Sequence, residues 1–183
     1  MKWNRWLGII LVALSATGLV ISLWPVPVHS SQVIFTSSEG VTGTLLVTHP
    51  DQIHVGEKTE VSLEILVDKM QNALDPITFL TKLELDSIAV TPKGEGKVSV
   101  DPSKPVTLIW QIIPYKPGVY SGTLWLFIEQ GDVQRDLILA KPVELTAKTF
   151  FGFSFRTIRM VSIVGLIVGF VYLFIKILKK QPG

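Results

Sequence analysis

Two long uncharged apolar runs lie near the ends of this 183-residue chain and restrict what it can fold into. The first is Leu7 to Leu23, with 17 residues, and the second is Met160 to Ile175, with 16. At about 1.5 Å per residue, each would form a helix about 25 Å long, near the lower limit for crossing a hydrocarbon core of about 30 Å. Charged residues make up only 17% of the chain. The sequence therefore predicts a protein held at a lipid bilayer.

The first apolar run has two interpretations, and both place the following residues outside the cytoplasm. Lys2 and Arg5 form a basic start, and the prolines of residues 24–27 end the helix because proline has no amide hydrogen to donate. Residues 1–24 are either an uncleaved transmembrane anchor or a signal peptide cut near Ser30. No Ala-x-Ala motif precedes that position, so both interpretations remain open.

The second apolar run is predicted to be a transmembrane helix that extends to residue 178, because Lys176 can reach the interface with its ammonium group. Gly165 and Gly169 form a Gly-x-x-x-Gly motif, a candidate face for helix packing. Five basic residues would lie inside and three near the helix outside, which predicts a cytoplasmic C-terminus: Lys2, Arg5, Lys176, Lys179 and Lys180, against Lys148, Arg156 and Arg159. The predicted order is residues 1–24, anchor or signal; 25–31, linker; 32–148, exported domain; 149–159, aromatic interfacial segment; 160–178, transmembrane helix; and 179–183, cytoplasmic tail.

The charges separate the central part of the chain from its ends. All 15 acidic residues lie between residues 25 and 155 together with ten of the 17 basic residues, so this part has a net charge of −5. Because no run of five Lys or Arg residues occurs, nucleic acid is not expected as a partner. The absence of cysteine excludes disulfides, zinc–thiolate sites and cysteine nucleophiles. It also fits a bacterial envelope protein that folds without oxidation.

The central residues alternate in the manner of β-strands. In the run 59–67, Val61, Leu63 and Ile65 point to one face, and the residues between them point to the other. Turn residues recur at intervals of about ten, which predicts an all-β domain of two packed sheets. Further strands are predicted at about 33–37, 42–48, 80–91, 96–100, 106–113, 119–130, 133–140 and 142–147, with hairpin turns at 93–97 and 131–132 and one helical turn at 69–75.

A tryptophan-containing strand around Trp110 is followed by a Pro/Gly turn at residues 114–118 and then by Tyr120. This order resembles the E–F corner of immunoglobulin-like and fibronectin type III-like sandwiches, in which a tyrosine hydroxyl ties the corner. The resemblance implies a fold and the role of Tyr120, but no activity. Gly122 stands where antibody domains carry a disulfide cysteine, so the chain departs from true antibody domains at that position.

No catalytic, cofactor-binding or metal-binding residue is assigned. The nucleophile-elbow, phosphate-loop and zinc-protease motifs are all absent. His49, Asp51 and His54 lie within six residues, but their spacing matches no established metal site, and Pro50 favours a turn with solvated histidines. Two carboxylate pairs could do acid–base chemistry only in a cleft that raised one pKa, and their alternation with apolar neighbours indicates the wet side of strands: Glu84 with Asp86, and Glu57 with Glu60.

Aromatic side chains on both faces of the run 120–128 are the most informative surface signal. Trp125 and Phe127 lie on the face opposite Tyr120, although the outer face of a sandwich strand should be polar. Together with Trp110, and with Ile109 or Ile113 alongside, they form a candidate interaction patch. The alternative is that a linker or edge segment of the same chain covers them.

The sequence therefore predicts a non-catalytic, membrane-anchored protein whose exported sandwich binds another envelope protein or complex. Its partners would be the lipid bilayer and a membrane or envelope protein. The chain itself would lie in the plasma or inner membrane, with the sandwich on the extracytoplasmic side. One alternative is a carbohydrate or cell-wall binding module, in which Trp110, Tyr115 and Trp125 would stack on sugars. An enzyme that uses the exported carboxylates is a further alternative.

Overall fold

The computed structural model describes residues 3–37, 40–69, 77–101, 104–130 and 134–178. The chain divides into two compact units. One is a sandwich domain, Val26–Lys148, and the other is a helical unit within Met1–Pro25 and Thr149–Gly183. The predicted helical turn at 69–75, the turn at 131–132 and the tail at 179–183 fall largely or wholly outside the described residues.

The described part of the sandwich domain contains ten strands in two five-stranded sheets. The first sheet has the order β1-β2-β4-β8-β6, and the second has the order β3-β10-β9-β5-β7. The strands are β1 Val28–Thr36, β2 Thr42–Pro50, β3 Gln52–His54, β4 Thr59–Lys69, β5 Ile77–Leu85, β6 Val90–Thr91, β7 Gly96–Val100, β8 Val106–Ile112, β9 Gly118–Gln130 and β10 Gln134–Lys148.

The strand order is that of an immunoglobulin-like sandwich. Strands β2, β4, β8 and β6 occupy the positions of strands A, B, E and D, and β5, β9 and β10 occupy those of C, F and G. The two-sheet fold is therefore as predicted. Strand β1 is an addition to this pattern, because it pairs antiparallel with β2 and forms an edge of the first sheet.

The core lies between the sheets and is built by period-two alternation. Along β4, the fully buried side chains of Val61, Leu63 and Ile65 face inward, as predicted. Phe79 of β5 and Leu124 of β9 meet them from the second sheet in one continuous apolar cluster. Burial of this area supplies the main driving force for folding.

Residues 80–91 were predicted as one strand, but they belong to two. Strand β5 ends at Leu85 in the second sheet, and β6 lies in the first. The chain turns between them at Ser87, whose φ of 61° interrupts the extended backbone. The predicted hairpin at 93–97 is likewise a crossing between sheets, with Gly94 at a φ of 79°.

Two other strand boundaries differ from the prediction. Residues 134–148 form the single strand β10 with Pro142 in its interior, whereas the sequence predicts two strands, 133–140 and 142–147. Proline is tolerated there because β3 pairs with β10 only at residues 146–148, which leaves one edge of β10 unpaired beside Pro142. Strand β1 begins at Val28, inside the segment predicted as a linker.

The helical unit contains helix α1, Trp3–Ser22, and helix α2, Phe155–Leu178. Within the described residues, α2 contains one stretch long and apolar enough to cross a membrane, Phe155–Ile175. The apolar part of α1, Trp6–Ser22, is shorter than such a span. The described residues therefore contain one candidate span, in agreement with the predicted C-terminal helix, whereas the N-terminal helix predicted as an anchor or signal is shorter than a span.

Helix α2 begins earlier than residue 160, the predicted start. The backbone N–H of Thr157 donates to Ser154 Oγ at 3.2 Å, so Ser154 is the N-cap. The prediction used the first uncharged residue as the boundary, whereas Arg156 and Arg159 are tolerated within the first turns. Residues 155–159 of the predicted interfacial segment are therefore helical. A tight turn before the helix leaves Phe151 85% exposed.

Candidate interaction surfaces

Trp125 lies on the outward face of the second sheet, in the central strand β9. It stands opposite Lys82 of β5 and Ala140 of β10. Its ring stacks on that of Phe127, with 6.3 Å between ring centroids and an angle of 11° between the planes. Its indole Nε1–H donates to Glu84 Oε2 at 3.2 Å. Neighbouring side chains therefore hold the indole in one orientation, and both rings are partly exposed.

Phe127 continues this apolar surface across the sheet. It stands between Leu80 of β5 and Leu137 of β10. Leu80 shares the outward face and is nevertheless buried, whereas Leu137 is 49% exposed. We call the group Leu80, Trp125, Phe127 and Leu137 the Trp125 surface.

Three ion pairs lie around the Trp125 surface. They are Lys82–Glu84, Lys97–Glu129 and Arg135–Glu95. The three lysine or arginine charges balance the three carboxylates, so the rim is neutral as a whole. Exposed pairs of this kind contribute little to folding stability, but they restrict which partner can approach.

Glu84 is not suited to act as a general acid. The hydrogen bond from Lys82 lowers the pKa of the Glu84 carboxyl, and its hydrogen bond from Trp125 acts in the same direction. A general acid at neutral pH needs a raised pKa. The two carboxylates of the other pair have different partners. Glu57 pairs with His54 at 3.1 Å, and Glu60 pairs with Lys58 at 3.3 Å.

Trp110 is not part of this surface, and its inclusion in the predicted patch was wrong. It is 2% exposed and lies in the core, opposite Val61 in the first sheet. Ile109 is 47% exposed, but it lies on the outer face of that sheet rather than beside Trp125. Ile113 follows β8 of the same sheet. The sequence placed Trp110 and Trp125 together because it could not show that they occupy different sheets.

The tyrosine corner is present as predicted. Tyr120 is buried, and its hydroxyl donates to the backbone carbonyl of Lys116 at 2.8 Å. Gly122, in the usual disulfide position, packs so closely on the neighbouring strand that an added Cβ would overlap the carbonyl oxygen of Glu84. This position therefore requires glycine for a steric reason.

The histidine segment forms the predicted turn, but His49 is buried rather than solvated. It faces inward from β2, with its ring centroid 5.9 Å from that of His29 on β1. Its Nδ1 lies 3.9 Å from Asp51 Oδ1. No group of three metal-ligating side chains suited to an ion occurs among the residues that the structure describes.

Sequence reasoning missed Lys141, which points into the sandwich from β10. It stands opposite the fully buried Leu124, and its Nζ donates to Ser31 Oγ of β1. Burial lowers the pKa of the Lys141 ammonium. The signal that could have identified it is the alternation along β10: Lys141 is two residues from Val143 and therefore lies in the same inward row.

Gly165 and Gly169 face α1 inside the helical unit. A Cβ at Gly165 would overlap Ser15 Oγ, and one at Gly169 would lie 2.6 Å from Val12 Cγ2. Small residues on α1 complete the pattern, since a Cβ at Gly18 would lie 2.6 Å from Ser162 Oγ. The two helices run antiparallel along this contact, and the chain itself provides the partner for the Gly-x-x-x-Gly face.

No protein-family model matches the sequence, and no curated protein matches it. Solved structures do resemble the fold, and they include the following three. A chain of the complex between zinc 2-glycoprotein and prolactin inducible protein from human seminal plasma matches with a TM-score of 0.42 and 8% identity, over 69% of this chain and 98% of that one. WR4, a C. elegans MSP family member, matches with a TM-score of 0.34 and 13% identity, over 54% of this chain and 94% of that one. A cohesin module of a Clostridium perfringens family 33 glycoside hydrolase matches with a TM-score of 0.33 and 12% identity, over 59% of this chain and 99% of that one.

Proposed function

We propose that the chain is a non-catalytic, membrane-anchored protein whose exported sandwich binds another envelope protein through the Trp125 surface. The observation that carries this proposal is the apolar centre formed by Trp125, Phe127 and Leu137 inside a rim of ion pairs. Protein interfaces often combine an aromatic centre with a polar rim, and tryptophan is enriched among the residues that dominate binding.

Two features of the helical unit support anchoring. Helix α2 has the length and composition of a membrane span. Lysines follow it, and a cytoplasmic position for them would leave the sandwich on the exported side. In this proposal the lipid bilayer holds the helices, and the sandwich remains available to its partner.

We also propose that α1 stays attached as an anchor rather than being removed as a signal peptide. Its small residues fit the side chains of α2 along the whole contact, from Gly8 at Leu173 to Gly18 at Ser162. Near the end of the contact, Arg159 donates to the carbonyl oxygen of Ser22 at 2.9 Å. A segment that is cut away has no need for this complementarity.

Photocrosslinking in the producing cells tests the protein-binding role. A photoreactive phenylalanine analogue at Phe127 should form an adduct with one defined protein, and Trp125→Glu should abolish that adduct. Ile109, on the outer face of the first sheet, is the control position. The photoreactive analogue at Ile109 should give no such adduct, and Ile109→Glu should leave the Phe127 adduct intact. Equal adducts from both positions, or none from Phe127, would contradict the proposal.

A carbohydrate-binding module remains the second candidate, because Trp125 is partly exposed and Tyr115 is 76% exposed. The burial of Trp110 removes one of its three predicted stacking residues. Binding of the full-length protein to defined glycans on an array, lost on Trp125→Ala, would favour this candidate. Hydrolytic turnover lost on removal of a single carboxylate would contradict both.

A further inference from the structure

Strand β1 has an edge with which no described strand pairs. It pairs with β2 over all nine residues without a register shift, and it ends the first sheet on its other side. An unpaired edge presents a row of backbone N–H and C=O groups to which another strand can add. Its sequence has no charged residue and no proline, and its outward-facing Ile34 is 77% exposed.

The other described edges are protected against such addition. Strands β3, β6 and β7 contain only three, two and five residues. The unpaired part of β10 has a register shift between Leu137 and Leu139, the inward-pointing Lys141, and Pro142. Short length, bulges, inward charges and proline are the devices by which proteins prevent strand addition. Strand β1 lacks all of them.

Lys141 provides a second, independent observation at the same edge. Its side chain crosses from β10 to β1, where its ammonium donates to Ser31 Oγ. Burial lowers the pKa of this group, and none of the carboxylates that the structure describes forms an ion pair with it. A partly buried ammonium of this kind is stabilised by an incoming carboxylate.

A cavity of about 430 Å³ opens beside Lys141. Its other titratable lining residues are His29, His49, Asp51 and Glu144. Asp51 lies near His49, and Glu144 lies in the outward row of β10, opposite Ser121. Neither acid therefore serves as the counter-ion of Lys141.

We propose that the free edge of β1 accepts an extended segment of a partner protein, and that this segment carries a carboxylate that pairs with Lys141. The carboxylate would come from an inward-facing Asp or Glu opposite Ser31. Directly opposed residues on neighbouring strands have Cβ atoms about 4.5–5.5 Å apart, which brings such a side chain within reach of the ammonium. The surface is separate from the Trp125 surface, so the proposal does not depend on it.

A second copy of β1 is a poorer occupant than an acidic segment. The strand reads Val-His-Ser-Ser-Gln-Val-Ile-Phe-Thr and contains no carboxylate. Antiparallel pairing of two copies would leave both Lys141 ammonium groups without a counter-ion.

A designed peptide tests the proposal on the full-length protein in detergent micelles. The probe is acetyl-Thr-Val-Thr-Val-Thr-Glu-Thr-amide, whose Glu would face Ser31 when its two Val residues face Phe35 and Val33. Matched probes carry Gln or Lys in place of Glu. Binding is measured by fluorescence anisotropy of labelled peptides, and the position of binding by amide hydrogen exchange.

The Glu peptide should bind about tenfold more tightly than the Gln peptide, the ratio expected from one partly buried ion pair. Lys141→Met should remove this difference, Lys141→Arg should retain it, and alternate β1 amides should gain protection. Equal binding of the Glu and Gln peptides, or no binding with no β1 protection, would overturn the proposal. Protection of β1 in a dimer without peptide would identify a second copy as the occupant and also overturn it. The comparison of the Glu and Gln peptides uses the unaltered protein, so it tests the proposal even if a Lys141 variant fails to fold.

Discussion

At the scale of single residues, the hydroxyl of Tyr120 ties the turn before β9 to the strand. It donates to the carbonyl of Lys116 from a buried position. We expect Tyr120→Phe to lower the free energy of unfolding by about 1 kcal/mol, because the ring still packs and one hydrogen bond is lost. Thermal unfolding of the full-length protein, followed by circular dichroism, measures the effect.

Tyr115 is the matched control for this prediction. It lies in the same turn, but its side chain is exposed. Tyr115→Phe should leave the melting temperature unchanged. Equal effects of the two substitutions would show that the hydrogen bond of Tyr120 does not stabilise the corner.

Lys141 predicts a dependence of stability on pH. Burial lowers its pKa below the ordinary value of 10.5, so the charged form destabilises the folded state. That cost is fully present below the folded-state pKa and disappears as the pH rises from there to 10.5. We therefore expect Lys141→Met to raise the melting temperature by a few degrees at neutral pH, with a smaller gain near pH 10.5.

Lys93 provides the control for the pH dependence, because its side chain is exposed. Lys93→Met should change the melting temperature little at either pH. A Lys141→Met variant that melts lower than the unaltered protein at neutral pH would show that the bond to Ser31 outweighs the burial of the charge. Stability gained and peptide binding lost in the same variant would mark Lys141 as a functional residue.

At the scale of elements, the contact between α1 and α2 can be tested with introduced cysteines. An added Cβ at Gly18 would lie 3.8 Å from Ser162 Cβ, a distance suited to a disulfide. The chain contains no cysteine, so any disulfide within the chain must join the two introduced residues. We expect Gly18→Cys with Ser162→Cys to form an internal disulfide on mild oxidation in membranes, visible as a mobility shift that reductant reverses.

The control pair replaces Ser162 with its neighbour Ile163, which is exposed on another side of α2. Gly18→Cys with Ile163→Cys should not crosslink within the chain. Crosslinking of the control pair alone would mean that α2 presents a different face to α1.

The elements also show how far local sequence patterns reach. Alternation in β4 predicted its inward row, and the turn at 114–118 predicted the corner at Tyr120. The same reasoning merged β5 with β6, because the left-handed backbone at Ser87 has no glycine to mark it. It also divided β10 into strands 133–140 and 142–147, since the local pattern does not show that both runs pair with β9 as one strand.

At the scale of the whole molecule, the fate of α1 determines how many helices anchor the protein. If the small-residue contact has a function, the mature protein keeps α1. We expect intact mass spectrometry of the protein purified from membranes to give a mass that includes residues 1–24, with or without the initiator methionine. A mature protein that begins near Ser30 would contradict this expectation, and the sandwich would then depend on α2 alone.

The sequence by itself determined the two uncharged apolar runs, the acidic centre and the all-β character of residues 32–148, because each follows from composition or from period-two alternation along one strand. Only the tertiary structure decided which of two similar side chains lies inside. It buried Trp110, left Trp125 on an outer face and brought Lys141 to Ser31 across the sandwich. The physical reason is that periodicity defines which residues share a row, whereas pairing between distant strands determines which row meets the opposite sheet.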